Sequence, residues 1–391
     1  MAPYVAYAGE IYRGGRPPTL PTDPDRLEAA ARAVLAPEAY WYAAGGAGSG
    51  ATRRANRAAF DRHGFVPRML RDNTARDWST SVLGTVMPAP LLLAPIGVQS
   101  ILHPEGELAT ARAAAGLGLP AVASTAASHT LEEMAEAGGP RWYQLYRPTD
   151  DAVTASLLRR ARAAGYTALV VTLDTWQLGW RPHDLDAAYL PFLRGVGTAV
   201  PFSDPAFRAA LPAPPEEDLA AAVAYRQKIF QGTAWSWARL PDLRAWWDGP
   251  IVVKGIQHPD DARAALDAGM DGVVVSNHGG RQADRAIGSL TALPGVVAAV
   301  DGRAPVLFDS GIRTGADAAL ALALGADAVL LGRPYVYGLA LDGEAGVRHV
   351  LRCVLAELDA TLALAGYASL AELRAAADPV LRVSISRSIS P

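Results

Sequence analysis

From Pro90 onward the chain alternates two textures: short apolar runs, and Ala-rich stretches whose apolar positions recur at helical spacing. The short runs fall at 91–94, 121–124, 142–145, 169–172, 251–254, 273–276, 306–309 and 329–332. Each is mostly apolar on both faces, which suits a parallel strand covered by helices. Helical patterns such as 151–164 and 259–268 separate most of them. Eight strand–helix units predict an α/β fold, a closed (β/α)8 TIM barrel rather than an open doubly wound sheet.

Two regions depart from the alternation. Residues 1–85 read as an N-terminal helical lead-in packed on a barrel of 86–391. Helical patterns run over 24–35 with Asp23 as cap, over 37–42 and over 51–61, with a glycine cluster at 45–50. Between the fourth and fifth runs lies an insertion, about 181–249, with Pro191, Pro201, Pro205, Pro212, Pro214 and Pro215 and then a helical pattern near 218–230. It leaves the end of strand four, where a barrel keeps its functional loops, so a lid is expected.

Composition narrows the classes. A barrel takes about 250 residues, so the 391 here accommodate one with its extension and insertion. The net charge of −3 gives no reason to expect nucleic acid or an anionic membrane as partner. The single Cys353 leaves no disulfide framework or cysteine metal site within one chain, and points to a reducing, cytoplasmic setting. No signal peptide is expected, and no apolar stretch reaches the ~18 residues of a membrane span. His63, His103, His129, His183, His258 and His349 lack metal-ligand spacing, so no metal is expected and most are read as surface or capping residues. The cluster at 45–50 does not fit Gly-x-Gly-x-x-Gly. Trp235, Trp237, Trp246 and Trp247 are read as packing around the barrel.

The barrel rule turns strand ends into site candidates. Ser124 follows strand two, Gln144 and Tyr146 strand three, Thr172 and Asp174 strand four, and Lys254 ends strand five. Ser276 through Arg281 follow strand six, Asp309 through Arg313 strand seven, and Gly332-Arg333 strand eight. So many charges at the ends of apolar strands need partners, and a bound anion would supply them. In Ser276-Asn277-His278-Gly279-Gly280-Arg281-Gln282, His278 suits proton transfer near neutral pH. Arg281 can hold a carboxylate through two parallel hydrogen bonds. The bland alternative, a capping His beside a surface Arg, is disfavoured by this company.

With these residues the chain resembles the FMN-dependent α-hydroxy-acid oxidase and dehydrogenase family, from about Glu10 to Leu381. Ser276 to Gln282 matches its signature, Val253-Lys254-Gly255 its lysine strand, and Phe308-Asp309-Ser310-Gly311-Ile312-Arg313 with Leu331-Gly332-Arg333-Pro334 its phosphate region. The resemblance implies FMN as cofactor, a small 2-hydroxy acid and O2 as reactants, and a homo-oligomer, tetramer or octamer. It implies His278 as base, Asp174 as its supporting carboxylate, and Arg281 with Arg181 as the grip on the substrate carboxylate. Tyr42 and Tyr146 would hydrogen-bond the substrate, and Lys254 would face the flavin ring. Ala94, Pro95, Ile96, Ser124, Gln144, Thr172 and Ser276 would contact the flavin, and Asp309, Gly311, Arg313, Gly332 and Arg333 its phosphate side.

Within that family the chain looks nearest the lactate 2-monooxygenase branch. Glu10-Ile11-Tyr12, the stretch from Tyr42 to Gly48, the run from Thr172 to Pro182, and Gly97 after Ala94-Pro95-Ile96 carry this likeness. It implies oxidative decarboxylation; the alternatives are a peroxide-releasing oxidase and, more remotely, a non-redox FMN isomerase. Departures at Ala283-Asp284-Arg285, Thr291 and Ala126-Ala127-Ser128-His129 leave room for a substrate bulkier than lactate.

Overall fold

The computed structural model describes residues 4–232, 236–376 and 379–382. Eight strands close a parallel barrel: β1 Leu91–Leu93, β2 Ala121–Ser124, β3 Arg141–Leu145, β4 Leu169–Thr172, β5 Ile251–Ile256, β6 Gly272–Val275, β7 Val306–Phe308 and β8 Ala328–Leu331. Each pairs with its sequence neighbour, and β8 returns to β1 through Val329↔Leu91, Leu330↔Leu92 and Leu331↔Leu93.

Strand side chains alternate sides, and the alternation sorts the core into two. Leu92, Val122, Trp142, Val170, Val252, Val274, Leu307 and Leu330 fill the interior. Their neighbours Leu93, Tyr143, Val171, Val253, Val275, Phe308 and Leu331 face the helices. Both sets are apolar, which is why the runs look uniform in the sequence. Trp142 is fully buried, and its indole Nε1 donates to Thr85 Oγ1 at 2.9 Å.

Thr85 belongs to a hairpin, Thr80–Val82 with Thr85–Met87, turned by Leu83 and Gly84 at φ 50° and 77°. Two positive φ values are the signature of a two-residue hairpin turn. Val82 and Met87 join the interior cluster and plug the barrel below Trp142. The lead-in thus holds more than the expected helices: this hairpin and the strand His63–Phe65 paired antiparallel with Val380–Arg382, besides an unexpected first helix Ala6–Gly14. Three-residue strands are too short for alternation to be legible.

The expected lead-in helices are Pro24–Val34, Pro37–Ala44 and Ala51–Phe60. Asp23 Oδ1 accepts the Arg26 amide at 2.8 Å, and Pro24 fills the first helical position, where no amide is needed. The insertion folds as short helical segments, the longest Leu219–Phe230, whose cap Asp218 accepts the Ala221 amide at 2.9 Å, with Trp237–Ala245 following it. It is fastened to the barrel by Thr149 N to Ile229 O (2.7 Å), Tyr225 Oη to Asp150 Oδ2 (2.8 Å) and Arg160 Nη1 to Val200 O (3.0 Å). Trp247 is buried and Trp237 and Trp246 are partly buried against the core, while Trp235 lies outside the described residues. Among the described residues, no helix is long and apolar enough to cross a membrane.

Candidate active site

The polar strand ends converge on one cleft of about 1550 Å³, counted out to its open mouth. The loop after β6 forms its centre. His278 has φ 57°, a conformation uncommon for a residue with a side chain, and is followed by Gly279 and Gly280 at 66° and 75°. The lead-in holds this turn. Asn56 and Asn277 exchange side-chain hydrogen bonds of 2.8 and 2.7 Å. A Cβ on Gly280 would stand 2.6 Å from the Arg53 amide, so the approach of the helix Ala51–Phe60 requires glycine there. Asp284 accepts the amides of Ser49 (2.8 Å) and Ala51 (2.9 Å) and binds the glycine cluster to the same loop.

His278 Nδ1 lies 2.9 Å from Asp174 Oδ1, with Thr175 Oγ1 at 3.2 Å. Burial holds the imidazole below its ordinary range, against the pull of Asp174. The Asp174 carboxyl is held below its usual range too: burial pushes it up, and the His278 contact and the Lys254 charge outweigh that. A neutral ring donating from Nδ1 to a carboxylate satisfies both directions and leaves Nε2 as the acceptor. The second Asp174 oxygen, Oδ2, is buried with no partner.

Lys254, ending the regular part of β5, is buried and reaches Asp309 Oδ2 at 2.9 Å and Ser276 Oγ at 2.9 Å. Burial disfavours its charge, but Asp309 and Asp174 outweigh that and raise its pKa. A fixed cation therefore stands beside His278. Ser276 Oγ also accepts the His278 amide at 3.1 Å, so one hydroxyl couples lysine to histidine loop.

Two features fit a flavin phosphate. Arg333 opens the helical segment Arg333–Leu364 and donates to the carbonyls of Ala43, Gly45 and Gly279 at 3.1, 2.7 and 2.9 Å. Neither it nor Arg313 has an ion-pair partner among the described residues. Burial, then the neighbouring Arg313, lowers the Arg333 pKa to about 9. Two buried guanidiniums beside helix N-termini, neither in an ion pair among the described residues, are arranged for an anion. A Cβ on Gly332 would meet nothing nearer than Ile96 Cδ1 at 3.8 Å, which leaves room beside them. Deeper in, Gln144 Oε1 accepts from Ser124 Oγ at 2.9 Å while its Nε2 is buried and unpartnered, a donor suited to a ring carbonyl. The residues present thus fit FMN.

Arg181 and Arg281 stand together on the other side. Arg181 Nε donates to the Arg281 carbonyl at 3.1 Å and its Nη2 to Gln282 Oε1 at 2.6 Å. The Arg281 guanidinium lies 5.3 Å from the centre of the Tyr42 ring. Burial and the Arg181 charge lower its pKa to about 10. Burial pushes the Tyr146 phenol up to about 12, so it is a hydroxyl donor, not a phenolate.

Ala94, Pro95, Ile96, Gly97, Tyr42, Ser124, Tyr146, Arg181, Lys254, His278, Arg281, Asp309, Gly311, Arg313, Gly332 and Arg333 line the cleft. Gln144, Asp174 and Ser276 stand behind that lining and act on it through Ser124, His278 and Lys254. Thr172 pairs with Lys254 across β4 and β5 and does not line the cleft. At Gly97 a Cβ would lie 2.4 Å from the Ala126 carbonyl oxygen, so the space a methyl would need is filled by the loop after β2. Sequence reasoning missed Arg226, Phe192 and Phe230, which reach the cleft from the insertion. Ser310, within the expected strand-seven end, also lines the cleft, and its Oγ accepts the Gly279 amide at 2.9 Å. Arg226 sits in an Ala-rich helix where only its burial distinguishes it from a surface arginine.

The comparisons with known proteins agree with this chemistry. The family model for FMN-dependent dehydrogenase matches residues 31–378. An FMN-dependent alpha-hydroxy acid dehydrogenase of Penicillium citrinum is 46% identical over 378 residues, covering 94% of each chain. An L-lactate oxidase of Lysinibacillus sphaericus is 43% identical, covering 89% of this chain and 90% of its own. The crystal structure of a mandelate oxidase superposes with a TM-score of 0.81 at 40% identity, covering 90% of this chain and 97% of that one. By sequence and barrel alike, the chain belongs to the FMN-dependent dehydrogenase family and is an FMN-dependent α-hydroxy-acid oxidoreductase.

Proposed function

We propose that this protein oxidises an L-2-hydroxy acid to its 2-keto acid with O2 as the final acceptor. The observation that carries the reading is the pairing of a neutral, carboxylate-backed His278 with two adjacent arginines, Arg181 and Arg281, in one cleft. The arginines bind the substrate carboxylate as a fork. The hydroxyls of Tyr42 and Tyr146, which bond no other described residue, are available to the substrate hydroxyl and carboxylate. His278 Nε2 takes the hydroxyl proton, and Asp174 stabilises the imidazolium that results. FMN, when bound, supplies the two-electron acceptor for the α-hydrogen. Arg313 and Arg333 would hold its phosphate, and Ser124, Gln144 and Lys254 its ring. Val98, Leu190 and Phe192 give the side-chain end of the cleft an apolar wall, and likeness to a mandelate oxidase supports a substrate larger than lactate.

The oxidase balance is hydroxy acid plus O2 giving keto acid plus hydrogen peroxide. A second reading is oxidative decarboxylation, giving the shorter acid, carbon dioxide and water. The insertion roof of Leu190, Phe192 and Phe230 favours it, since a covered site retains the keto acid beside nascent peroxide. The test is anaerobic bleaching of the flavin by a panel of 2-hydroxy acids, followed by aerobic product analysis. Stoichiometric keto acid and peroxide support the oxidase, and carbon dioxide with a shortened acid supports decarboxylation. Absence of bleaching by every L-2-hydroxy acid sinks both.

A further inference from the structure

Arg181 and Arg281 provide for the substrate carboxylate and Arg313 and Arg333 for a phosphate, yet a fifth guanidinium enters the same cleft. Arg226 comes from the insertion helix Leu219–Phe230, not from a barrel strand end. It is 9% exposed. Its guanidinium lies over Phe192 at 4.1 Å and Phe230 at 5.4 Å. It makes no hydrogen bond or ion pair among the described residues, and its Nε is buried without a partner. Burial lowers its pKa to about 10, and only the Tyr42 and Tyr146 phenols push the other way. A buried cation facing aromatic rings and no carboxylate is costly unless a ligand answers it. The same two tyrosines act on Arg281, and all four residues line one cleft, so Arg226 shares the substrate space with the carboxylate grip.

We propose that Arg226 receives a second carboxylate on the substrate side chain, so that the preferred substrates are 2-hydroxydicarboxylates. The geometry separates two jobs. Arg181 and Arg281 hold the carboxylate next to the reacting carbon, and Arg226, held over Phe192 and Phe230, pairs with the far one. The rings exclude water from that contact, which strengthens it. They also leave methylenes of the substrate in an apolar channel. This inference rests on the proposed oxidation of a 2-hydroxy acid and specifies its substrate.

The experiment compares L-malate and L-2-hydroxyglutarate with the chain-matched L-2-hydroxybutyrate and L-2-hydroxyvalerate, in the FMN-loaded wild type and in Arg226→Met. Charge-assisted hydrogen bonds of this kind correspond to about a 10- to 100-fold effect. Wild type should therefore favour at least one dicarboxylate in kcat/KM by that factor. Arg226→Met should lose it and keep its rate on the monocarboxylates within about threefold. Calorimetric binding of 2-ketoglutarate and oxaloacetate should weaken in the same proportion, with 2-ketobutyrate unchanged. Equal loss on both substrate classes would assign Arg226 a purely structural role and overturn the proposal. So would a wild type reduced by monocarboxylates alone. If no hydroxy acid of either class reduces the flavin, the oxidation reading itself falls, and the proposal with it.

Discussion

Asp174→Asn isolates the part of the site that manages the proton. The amide is nearly isosteric and can still accept from His278 Nδ1, so ring position and tautomer are retained. What is lost is the negative charge 2.9 Å from the ring. At an effective dielectric of about 20 that charge is worth about 6 kcal/mol to the imidazolium. Part is returned, because the buried carboxylate with its unpartnered Oδ2 no longer has to be kept ionised. The net loss should resemble that of a charge-assisted hydrogen bond, about 1.5–3 kcal/mol, or about 10- to 100-fold in rate. The sign of the pH effect follows. His278 must be neutral to accept a proton, so activity falls as pH drops through its pKa. Burial already lowers that pKa and Asp174 opposes the lowering. The variant should therefore carry its acid limb to lower pH while its plateau rate drops. Stopped-flow anaerobic flavin reduction across pH 5 to 9 reads both. A plateau within about threefold of wild type, or an acid limb moving upward, would refute the His–Asp argument.

Two further outcomes follow from other parts of the molecule. Arg333→Met removes a buried guanidinium from the helix N-terminus, and the Kd of the apoprotein for FMN should rise about 10- to 100-fold, read by flavin fluorescence quenching; unchanged affinity would remove Arg333 from the phosphate site. Asp359 is fully buried and accepts from Arg76 Nε (2.5 Å), Trp78 Nε1 (3.0 Å) and the Val5 amide (3.0 Å). Burial raises its pKa, but these bonds and the Arg76 charge outweigh that and hold it below the carboxylate range. Asp359→Asn should destabilise by about 3–5 kcal/mol near neutral pH. Because the folded pKa is depressed, the wild-type advantage is present above the unfolded value of about 4 and fades as pH falls through the folded one. Denaturant titrations at pH 7 and at pH 3 measure the difference, and an equal gap at both would contradict the assignment.

The chain's own pattern determined the barrel. Runs such as Val273-Val274-Val275 are apolar on both faces because one face fills the interior and the other meets helices, and only a covered parallel strand asks for that. Position then made His278, Lys254 and Arg333 legible, since charged groups at the ends of such strands have few other reasons to be there. The local cap at Asp23 was equally readable, because a cap acts within three residues. The hairpin that plugs the barrel was not. Its strands are three residues long, and their fate depends on Trp142, more than fifty residues away. Nor did the sequence separate residues that line the cleft from those that stand behind it, as Asp174 stands behind His278. Gly97 illustrates the limit: its identity invites a reading of extra space, and tertiary packing fills that space with Ala126. Arg226 shows it most plainly. In an Ala-rich helix an arginine is ordinary, and only the return of the insertion over the strand ends buries it against Phe192 and brings it into the cleft. Short-range spacing fixes which elements form and where their ends lie; which side chains lose water together is decided by contacts between segments far apart in the chain, and that loss of water governs their chemistry.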